Sequence, residues 1–124
     1  MVCLLKMKNK IWSTAVADKK FSEWIRKRDK KCVLCGGTNH LTNSHYWGRY
    51  ASSTRYDPED CDAVCLGCHF KIENAKQGEY RTFKLEQLGK KRYDALEKRY
   101  YQEKIPRRCA IIRCMSLLKH PVDN

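Results

Sequence analysis

Two short stretches decide the fold of this chain: Lys31-Cys-Val-Leu-Cys-Gly-Gly37 and Val64-Cys-Leu-Gly-Cys-His69. Each contains a Cys-x-x-Cys pair, which can chelate a metal ion from a single tight turn. The paired glycines after Cys35 allow the backbone to fold sharply around the first pair. Four thiolates in two such pairs are typical of a closed tetrahedral site, so we predict a structural Zn²⁺ bound by Cys32, Cys35, Cys65 and Cys68.

The choice between zinc and disulfide bonds depends on the compartment of the protein. The sequence contains no apolar run of about 18 residues that would span a membrane, and its apolar N-terminal stretch over residues 2–5 is too short for a signal peptide. We therefore expect a cytoplasmic protein without a membrane partner, which favours zinc. The other four cysteines show no paired spacing, and we expect free thiols at Cys3, Cys61, Cys109 and Cys114.

Length and charge restrict the class of protein. A chain of 124 residues fits one domain and excludes a multi-domain enzyme. Lysine and arginine total 26 against 14 acidic residues, and a net charge of +12 indicates a polyanionic partner, with DNA as the leading candidate. We predict a basic arm over residues 1–12, a central domain over 13–104 and a basic tail over 105–124.

The hydrophobic pattern predicts an α+β fold. Ser13 can cap a helix over 14–29 with one apolar stripe, and short strands are expected at 41–47 and 62–64, separated by a polar loop over 48–59. Helices are expected over 66–75, 79–88 and 90–104, the last two separated by Gly89. We expect the apolar side of these last two helices to pack on the first helix. The tail contains apolar groups that can form a short helix, but its position is not predicted.

Any chemistry must take place away from the zinc, because a closed four-sulfur site has no open coordination position. The segment between Cys35 and Cys65 is longer than the roughly 15 to 20 residues of a simple zinc ribbon, and this insert contains His45. Asp60 and His69 complete the candidate reactive residues.

The cysteine framework with its trailing histidine resembles the zinc-stapled HNH, or ββα-metal, endonucleases. The resemblance extends to the phage NinG (Rap) recombination proteins and covers roughly residues 15 to 103. It is carried by the two cysteine pairs and by Lys20-Phe-Ser-Glu-Trp-Ile-Arg-Lys-Arg-Asp29, Ser44-His-Tyr-Trp-Gly-Arg49 and Thr54-Arg-Tyr-Asp-Pro-Glu-Asp60.

The resemblance implies a catalytic role for three residues. His45 would be the general base, Asp60 the middle residue of the motif, and His69 a ligand of a catalytic Mg²⁺ or Mn²⁺ ion. Such an enzyme would hydrolyse DNA phosphodiesters, leave 5′ phosphate and 3′ hydroxyl ends, and, if NinG-like, act on branched DNA in phage recombination. Imidazole is suited to deprotonating water near neutral pH, and a divalent cation to neutralising charge on the phosphate.

Two positions depart from the HNH pattern. Asp60 replaces the usual asparagine, which favours a metal-ligand role for its carboxylate, although a role as a turn residue stays open. Ser44 occupies a position that is commonly a ligand, and Asn43, Glu73 or water can fill the gap. Arg49 and Arg55 flank the loop and are candidates for binding phosphates.

Two other functions share these sequence features. A non-catalytic zinc-finger DNA-binding module would have the same cysteines and the same positive charge. A zinc-stabilised protein-interaction module would use the charge for solubility. The oligomeric state is not predicted from the sequence.

Overall fold

The computed structural model describes residues 10–75 and 78–120, apart from the side chains of residues 73–75. The order of elements is α1 (Thr14–Asp29), β1 (Leu41–His45), α2 (Ser52–Arg55), β2 (Cys61–Cys65), α3 (Leu66–Ala75), α4 (Gly78–Gln102) and α5 (Arg107–Leu117). The predicted α+β class is confirmed.

Helix α1 begins and ends as the sequence predicts. The Ser13 side chain accepts a hydrogen bond from the Val16 backbone N–H at 3.2 Å, which caps the first turn. The helix ends at Lys30, which adopts a left-handed conformation with φ 66°. Ala17, Phe21 and Ile25 recur every four residues and form its buried face.

Strands β1 and β2 form a two-stranded antiparallel sheet in which Leu41 pairs with Cys65 and His45 with Cys61. β1 is shorter than predicted, because the chain turns immediately after His45. The Tyr46 backbone N–H donates to the Asp60 carbonyl at 2.8 Å, and the Gly48 N–H donates back to the His45 carbonyl at 3.1 Å. The predicted polar loop also contains the short helix α2.

One face of the sheet is covered by α1 and α5. Their buried residues form one hydrophobic cluster with Tyr56 and with Cys61 and Ala63 of β2. The buried residues of α5 are Cys109, Ala110, Ile111 and Cys114. The expectation that the helices over 79–104 pack on α1 is therefore wrong: α5, from the predicted tail, takes that position.

Helix α4 covers the opposite face. Gly89 interrupts it with a positive φ of 78°, as its predicted boundary requires. The first half of α4 supplies Tyr80 and Lys84, which both bond the Asp62 carboxylate of β2, at 2.8 Å and 2.7 Å. Lys84 and Asp62 are fully buried and form an ion pair. The second half supplies Tyr93, whose hydroxyl lies 2.7 Å from that of Tyr46.

The cysteines outside the two pairs are not all alike. Cys61 and Cys114 are free thiols and are buried. Cys109 is disulfide-bonded, so the expectation of a free thiol is wrong at this residue. Cys3 lies outside the described residues.

Candidate functional site

The four paired cysteines form one cluster. Their sulfur atoms all lie within 4.8 Å of one another, and Cys35 Sγ is 3.7 Å from Cys65 Sγ. This spacing fits four thiolates around one tetrahedral ion. The cluster of Cys32, Cys35, Cys65 and Cys68 can therefore hold a structural zinc ion, as the sequence predicts.

Backbone groups shape the two turns of this cluster. The Cys35 N–H points at Cys32 Sγ, and the Cys68 N–H at Cys65 Sγ, each at 3.4 Å. Gly36 has a φ of +80°, a conformation that favours glycine. The first turn is joined to the sheet because the Val33 N–H donates to the Ala63 carbonyl at 2.9 Å.

A cleft of about 580 Å³ lies between α1 and β1. It brings together four residues predicted from the sequence: Asn43, His45, His69 and, from the loop after β1, Arg49. Ser44, Arg55 and Asp60 are not among its lining residues, and all three are buried. The side chain of Glu73 lies outside the described residues.

His45 is held by a backbone carbonyl. Its Nε2 lies 3.0 Å from the Arg55 carbonyl oxygen, which can only accept a hydrogen bond, so Nε2 carries the proton. Burial lowers the pKa of His45 to about 4, and the nearby guanidinium groups of Arg55 and Arg49 act in the same direction. The ring is therefore neutral at physiological pH, with its lone pair on Nδ1.

His69 stands in the first turn of α3, directly after the cysteine Cys68. Its Nδ1 lies 2.9 Å from the hydroxyl of Thr42 on β1. The same hydroxyl donates to the Val64 carbonyl at 2.7 Å. His69 is thus joined to both strands of the sheet.

Asn43 supplies an oxygen suited to a hard cation. Its side-chain Oδ1 is buried and accepts no hydrogen bond within the described residues. A buried oxygen without a hydrogen-bond partner destabilises the folded protein unless a ligand or a water molecule pairs with it. Asn43 and His69 both line the cleft, and an amide oxygen and an imidazole nitrogen are ligand types that Mg²⁺ or Mn²⁺ can take.

Asp60 is fully buried, directly precedes β2 in the chain and does not line the cleft. One carboxylate oxygen accepts from the Trp47 N–H at 3.0 Å, which fixes the turn that follows His45. The other oxygen has no partner among the described residues. Burial raises the pKa of Asp60 to about 8, and Asp57 and Asp62 act in the same direction.

The two predicted phosphate-binding arginines differ in accessibility. Arg55 makes a bidentate pair with Asp18, with its Nε at 2.9 Å and its Nη2 at 2.6 Å from the carboxylate oxygens. It also donates to the Arg49 carbonyl at 2.7 Å. Arg49 keeps a side chain that is 63% exposed and only a 3.5 Å contact with Asp18. Of the two, Arg49 alone presents its charge to the cleft.

Part of the cleft wall belongs to α1, where the sequence indicates Arg26 as a solvated residue that can also touch phosphate but does not single out Lys19. Lys19 and Arg26 line the cleft with Asp18 and Ser22. The spacing of 18, 22 and 26 places these residues on one helical stripe, beside the apolar stripe of 17, 21 and 25. The sequence therefore contained this polar stripe, but it did not identify the stripe as part of a site, because charges on a helix face are as often solvated as functional.

Comparisons with known proteins identify the family. A family model described as "Bacteriophage Lambda NinG protein" matches residues 3–116. No curated protein and no solved structure matches the chain. Within residues 10–75 and 78–120, no helix is long and apolar enough to cross a membrane.

Proposed function

Because the chain belongs to the NinG family of bacteriophage lambda, which indicates a role related to phage recombination, we propose that it is a metal-dependent DNA endonuclease of the HNH type. The observation that carries this proposal is the convergence of His45 and His69 on one cleft together with cationic side chains. The order of two paired strands followed by a helix fits the proposed ββα-metal motif.

His45 is suited to be the general base. The Arg55 carbonyl holds its Nε2–H, so Nδ1 is the nitrogen that takes a proton from the attacking water. The low pKa keeps the ring deprotonated before the substrate arrives. The negative charge of a bound phosphodiester then raises this pKa and makes the ring a stronger base.

His69 and Asn43 are the residues proposed to hold the catalytic Mg²⁺ or Mn²⁺. When bound, the cation would neutralise charge on the phosphate and on the departing 3′ oxygen. The buried Asn43 oxygen, which has no hydrogen-bond partner among the described residues, supports this pair of ligands independently of the family resemblance. Ser44 contributes no ligand in this proposal, because it is buried and on the other side of the strand from its neighbours Asn43 and His45.

The DNA backbone is proposed to lie along the wall formed by α1 and the loop after β1. Lys19, Arg26 and Arg49 line the cleft together with the two histidines and supply positive charge. Contacts of this kind bind phosphates without reading sequence, so affinity is expected to fall steeply with salt.

Asp60 takes a positioning role in this proposal. Its carboxylate fixes the backbone of Trp47, two residues after the base, and with a pKa of about 8 it is mainly protonated at neutral pH. A protonated carboxyl group resembles the amide of the asparagine that is usual in HNH nucleases. Arg55, which is paired to Asp18, is assigned to holding the carbonyl that orients His45.

The test is cleavage of supercoiled plasmid and of branched DNA by the zinc-loaded protein, with and without Mn²⁺ or Mg²⁺. His45→Ala is compared with His120→Ala, since His120 is exposed and lies outside the cleft. We expect His45→Ala to lower cation-dependent cleavage by roughly 10²- to 10⁴-fold while DNA binding is retained.

Two results would contradict the proposal. Salt-sensitive binding without cleavage under any of these ions would favour the non-catalytic zinc-finger DNA-binding module. Cleavage that His45→Ala and His120→Ala leave equally intact would show that His45 is not the base.

A further inference from the structure

A second cavity lies beside the cleft and shares a loop with it. It has a volume of about 320 Å³, which is within the range of small-molecule sites. The loop after β1 connects the two, since Gly48 and Arg49 line the cleft while Ala51 and Ser52 line the second cavity. Three residues of chain span at most about 11 Å, so a DNA strand of a few nucleotides that leaves the cleft over this loop reaches the second cavity.

Tyr50 lies in this loop between the residues of the two cavities and presents its ring to solvent. The residue is 91% exposed, although a ring of this size is usually buried at least in part. The Arg49 carbonyl accepts a hydrogen bond from the Arg55 side chain at 2.7 Å, and the Ala51 carbonyl accepts from the Arg55 backbone N–H at 3.0 Å. The Tyr50 carbonyl accepts from the Arg107 side chain at 3.4 Å. The exposed ring therefore stands on a backbone that is held in place.

The second cavity combines an aromatic ring with positive charge. Tyr100 and the exposed Lys104 are among its lining residues. Glu103 also lines it, but its carboxylate accepts from Arg113 at 3.0 Å, which offsets its charge. Helix α5 begins at this cavity with Pro106 as its N-cap, and within the described residues no side chain caps it and its first turn is without acidic residues. The positive end of the helix dipole adds to the attraction for an anion.

These features fit a single strand of DNA better than a duplex. The faces of the bases in a duplex are covered by their neighbours, so a protruding ring can stack only on a base that has left the stack. Sites for single-stranded nucleic acid combine aromatic rings, on which bases stack, with positive charge along the backbone. Tyr50 supplies the exposed ring, and Lys104 supplies charge within reach of the same strand.

We propose that Tyr50 and the second cavity form a subsite for an unpaired DNA strand, in which the ring of Tyr50 stacks on a base and Lys104 contacts a phosphate. The inference rests on the proposed function, because it extends the path of the DNA out of the cleft. It specifies the substrate as DNA that is single-stranded next to the cleft. The subsite reads no sequence, since every base has a face on which a ring can stack.

The first measurement is DNA binding by zinc-loaded protein without Mg²⁺ or Mn²⁺, followed by fluorescence anisotropy. A duplex with a single-stranded extension is compared with a blunt duplex of the same paired length, and we expect the wild type to bind the extended DNA more tightly. Tyr50→Ala should bind the extended DNA roughly 5- to 100-fold more weakly, the range for loss of one stacked base, and the blunt duplex as the wild type does. Tyr50→Phe keeps the ring and should keep the affinity.

Tyr101→Ala is the matched control. Tyr101 is 60% exposed and lines neither the cleft nor the second cavity, so this variant should bind both DNAs as the wild type does. Zinc content and circular dichroism check that each variant is folded.

The second measurement identifies the residue that contacts the base. 5-Iododeoxyuridine is placed at successive positions of the extension and crosslinked by ultraviolet light, and the crosslinked residue is found by mass spectrometry. We expect the crosslink at Tyr50.

The third measurement tests the phosphate contact. Lys104→Ala should reduce the slope of log affinity against log salt for the extended DNA by roughly 0.7, the value for one phosphate of a single strand. Lys90→Ala, at an exposed lysine of α4 that lines neither cavity, should leave the slope unchanged.

The outcomes separate the two proposals. If the extension adds no affinity, if Tyr50→Ala and Tyr101→Ala lose affinity equally, or if the crosslink falls on another residue, the subsite is overturned. The nuclease proposal then stands or falls on cleavage by the wild type and by His45→Ala. If the extension binds through Tyr50 but no cation supports cleavage, the subsite stands as a binding surface and the nuclease proposal fails.

Discussion

The cysteine cluster and the cleft are neighbours in the chain but are assembled in different ways. In the cluster, each pair of ligands comes from one local turn, shaped by backbone N–H groups aimed at sulfur. In the cleft, the lining residues come from α1, β1, the loop after β1 and α3, and they meet only when the whole domain has folded. Cys68 and His69, adjacent in sequence, belong one to each site.

The two sites therefore differ in the interactions that stabilise them. A zinc ion bound by the four cysteines would stabilise the cluster, since zinc binding is coupled to folding. The cleft is stabilised by the contacts that orient its residues over long sequence separations, such as Arg55 with Asp18 of α1. The two sites should therefore respond to different substitutions.

The largest effect is expected when the cluster loses a ligand. Cys65→Ser should abolish stoichiometric zinc binding and with it the cooperative unfolding transition, because the zinc-binding free energy is also folding free energy. The measurements are zinc content and thermal unfolding followed by circular dichroism.

Cys114→Ala is the matched control, since Cys114 is a buried free thiol outside the cluster. It should keep full zinc content and unfold cooperatively. A Cys65→Ser variant that folds as stably as the wild type would contradict the separation of the two sites, because the cleft would then hold the domain together by itself.

A smaller loss is expected when the cleft loses a long-range contact. Asp18→Ala removes the carboxylate that pairs with the buried guanidinium of Arg55, and should lower the free energy of unfolding by roughly 3 kcal/mol. It should also reduce cleavage, because the Arg55 carbonyl orients His45. Zinc content should stay unchanged, which chemical denaturation and metal analysis together can check.

Asp94→Ala is the control for this variant. Asp94 is an exposed carboxylate paired with Lys90 one turn away on α4, and its loss should change stability by less than about 0.5 kcal/mol. Equal losses in the two variants would mean that the Asp18 pair does not hold the cleft.

The sequence predicted the cluster better than the cleft for a physical reason. Four cysteines in two Cys-x-x-Cys pairs are a local pattern, and the Ser13 cap and the helix break at Gly89 are also encoded locally. The structure contains all three features. The register that places Asn43 and His45 in the cleft depends on strand pairing, but the period of two was enough to group these residues.

The roles of buried polar residues were harder to predict. Asp60 and Arg55 are chemically suited to metal and phosphate, yet both are buried and paired with groups of the protein. Nothing in the local sequence indicates that Asp18 lies opposite Arg55, or that Thr42 reaches His69. The packing of α5 rather than α4 on α1 is likewise a long-range choice that helical periodicity does not decide.

Asp60→Asn sharpens the distinction between a ligand and a positioning residue. The pKa of Asp60 is raised from 3.8 to about 8, so the ionised form is favoured in the unfolded chain and wild-type stability is lost as pH rises from about 4 to about 8. Asparagine removes this titration. Because each pH unit over which only the unfolded chain is ionised is worth about 1.4 kcal/mol, the stability of the variant relative to the wild type should increase by roughly 3–4 kcal/mol between pH 5 and pH 8.

Urea unfolding of both proteins at the two pH values checks this prediction, and Mn²⁺ binding at neutral pH separates the roles. A positioning Asp60 predicts that the variant binds Mn²⁺ and cleaves DNA as the wild type does. Loss of Mn²⁺ affinity would return Asp60 to the ligand role first expected from the sequence.

The smallest effect is expected at the rim of the cleft. Arg49→Ala should weaken DNA binding modestly and reduce the slope of log affinity against log salt by about 1, the result of losing one phosphate contact. Arg108→Ala, an exposed arginine that does not line the cleft, should leave the slope unchanged. Fluorescence anisotropy at several salt concentrations measures both, and equal slopes for the two variants would mean that DNA does not enter the cleft.

The pairing of β1 with β2 also limits where residues can be inserted into or deleted from this protein. Cys65 pairs with Leu41 at one end of the ladder and His45 with Cys61 at the other, so the ladder sets a distance of roughly 14 Å along the strand between the Cys65 level and His45. Adding or removing one residue within β1 would turn His45 to the opposite face of the sheet relative to Leu41. The exposed residues Thr38 and Asn39, between the first cysteine turn and β1, carry no such restriction from pairing, and we expect variation in chain length there rather than in the strands.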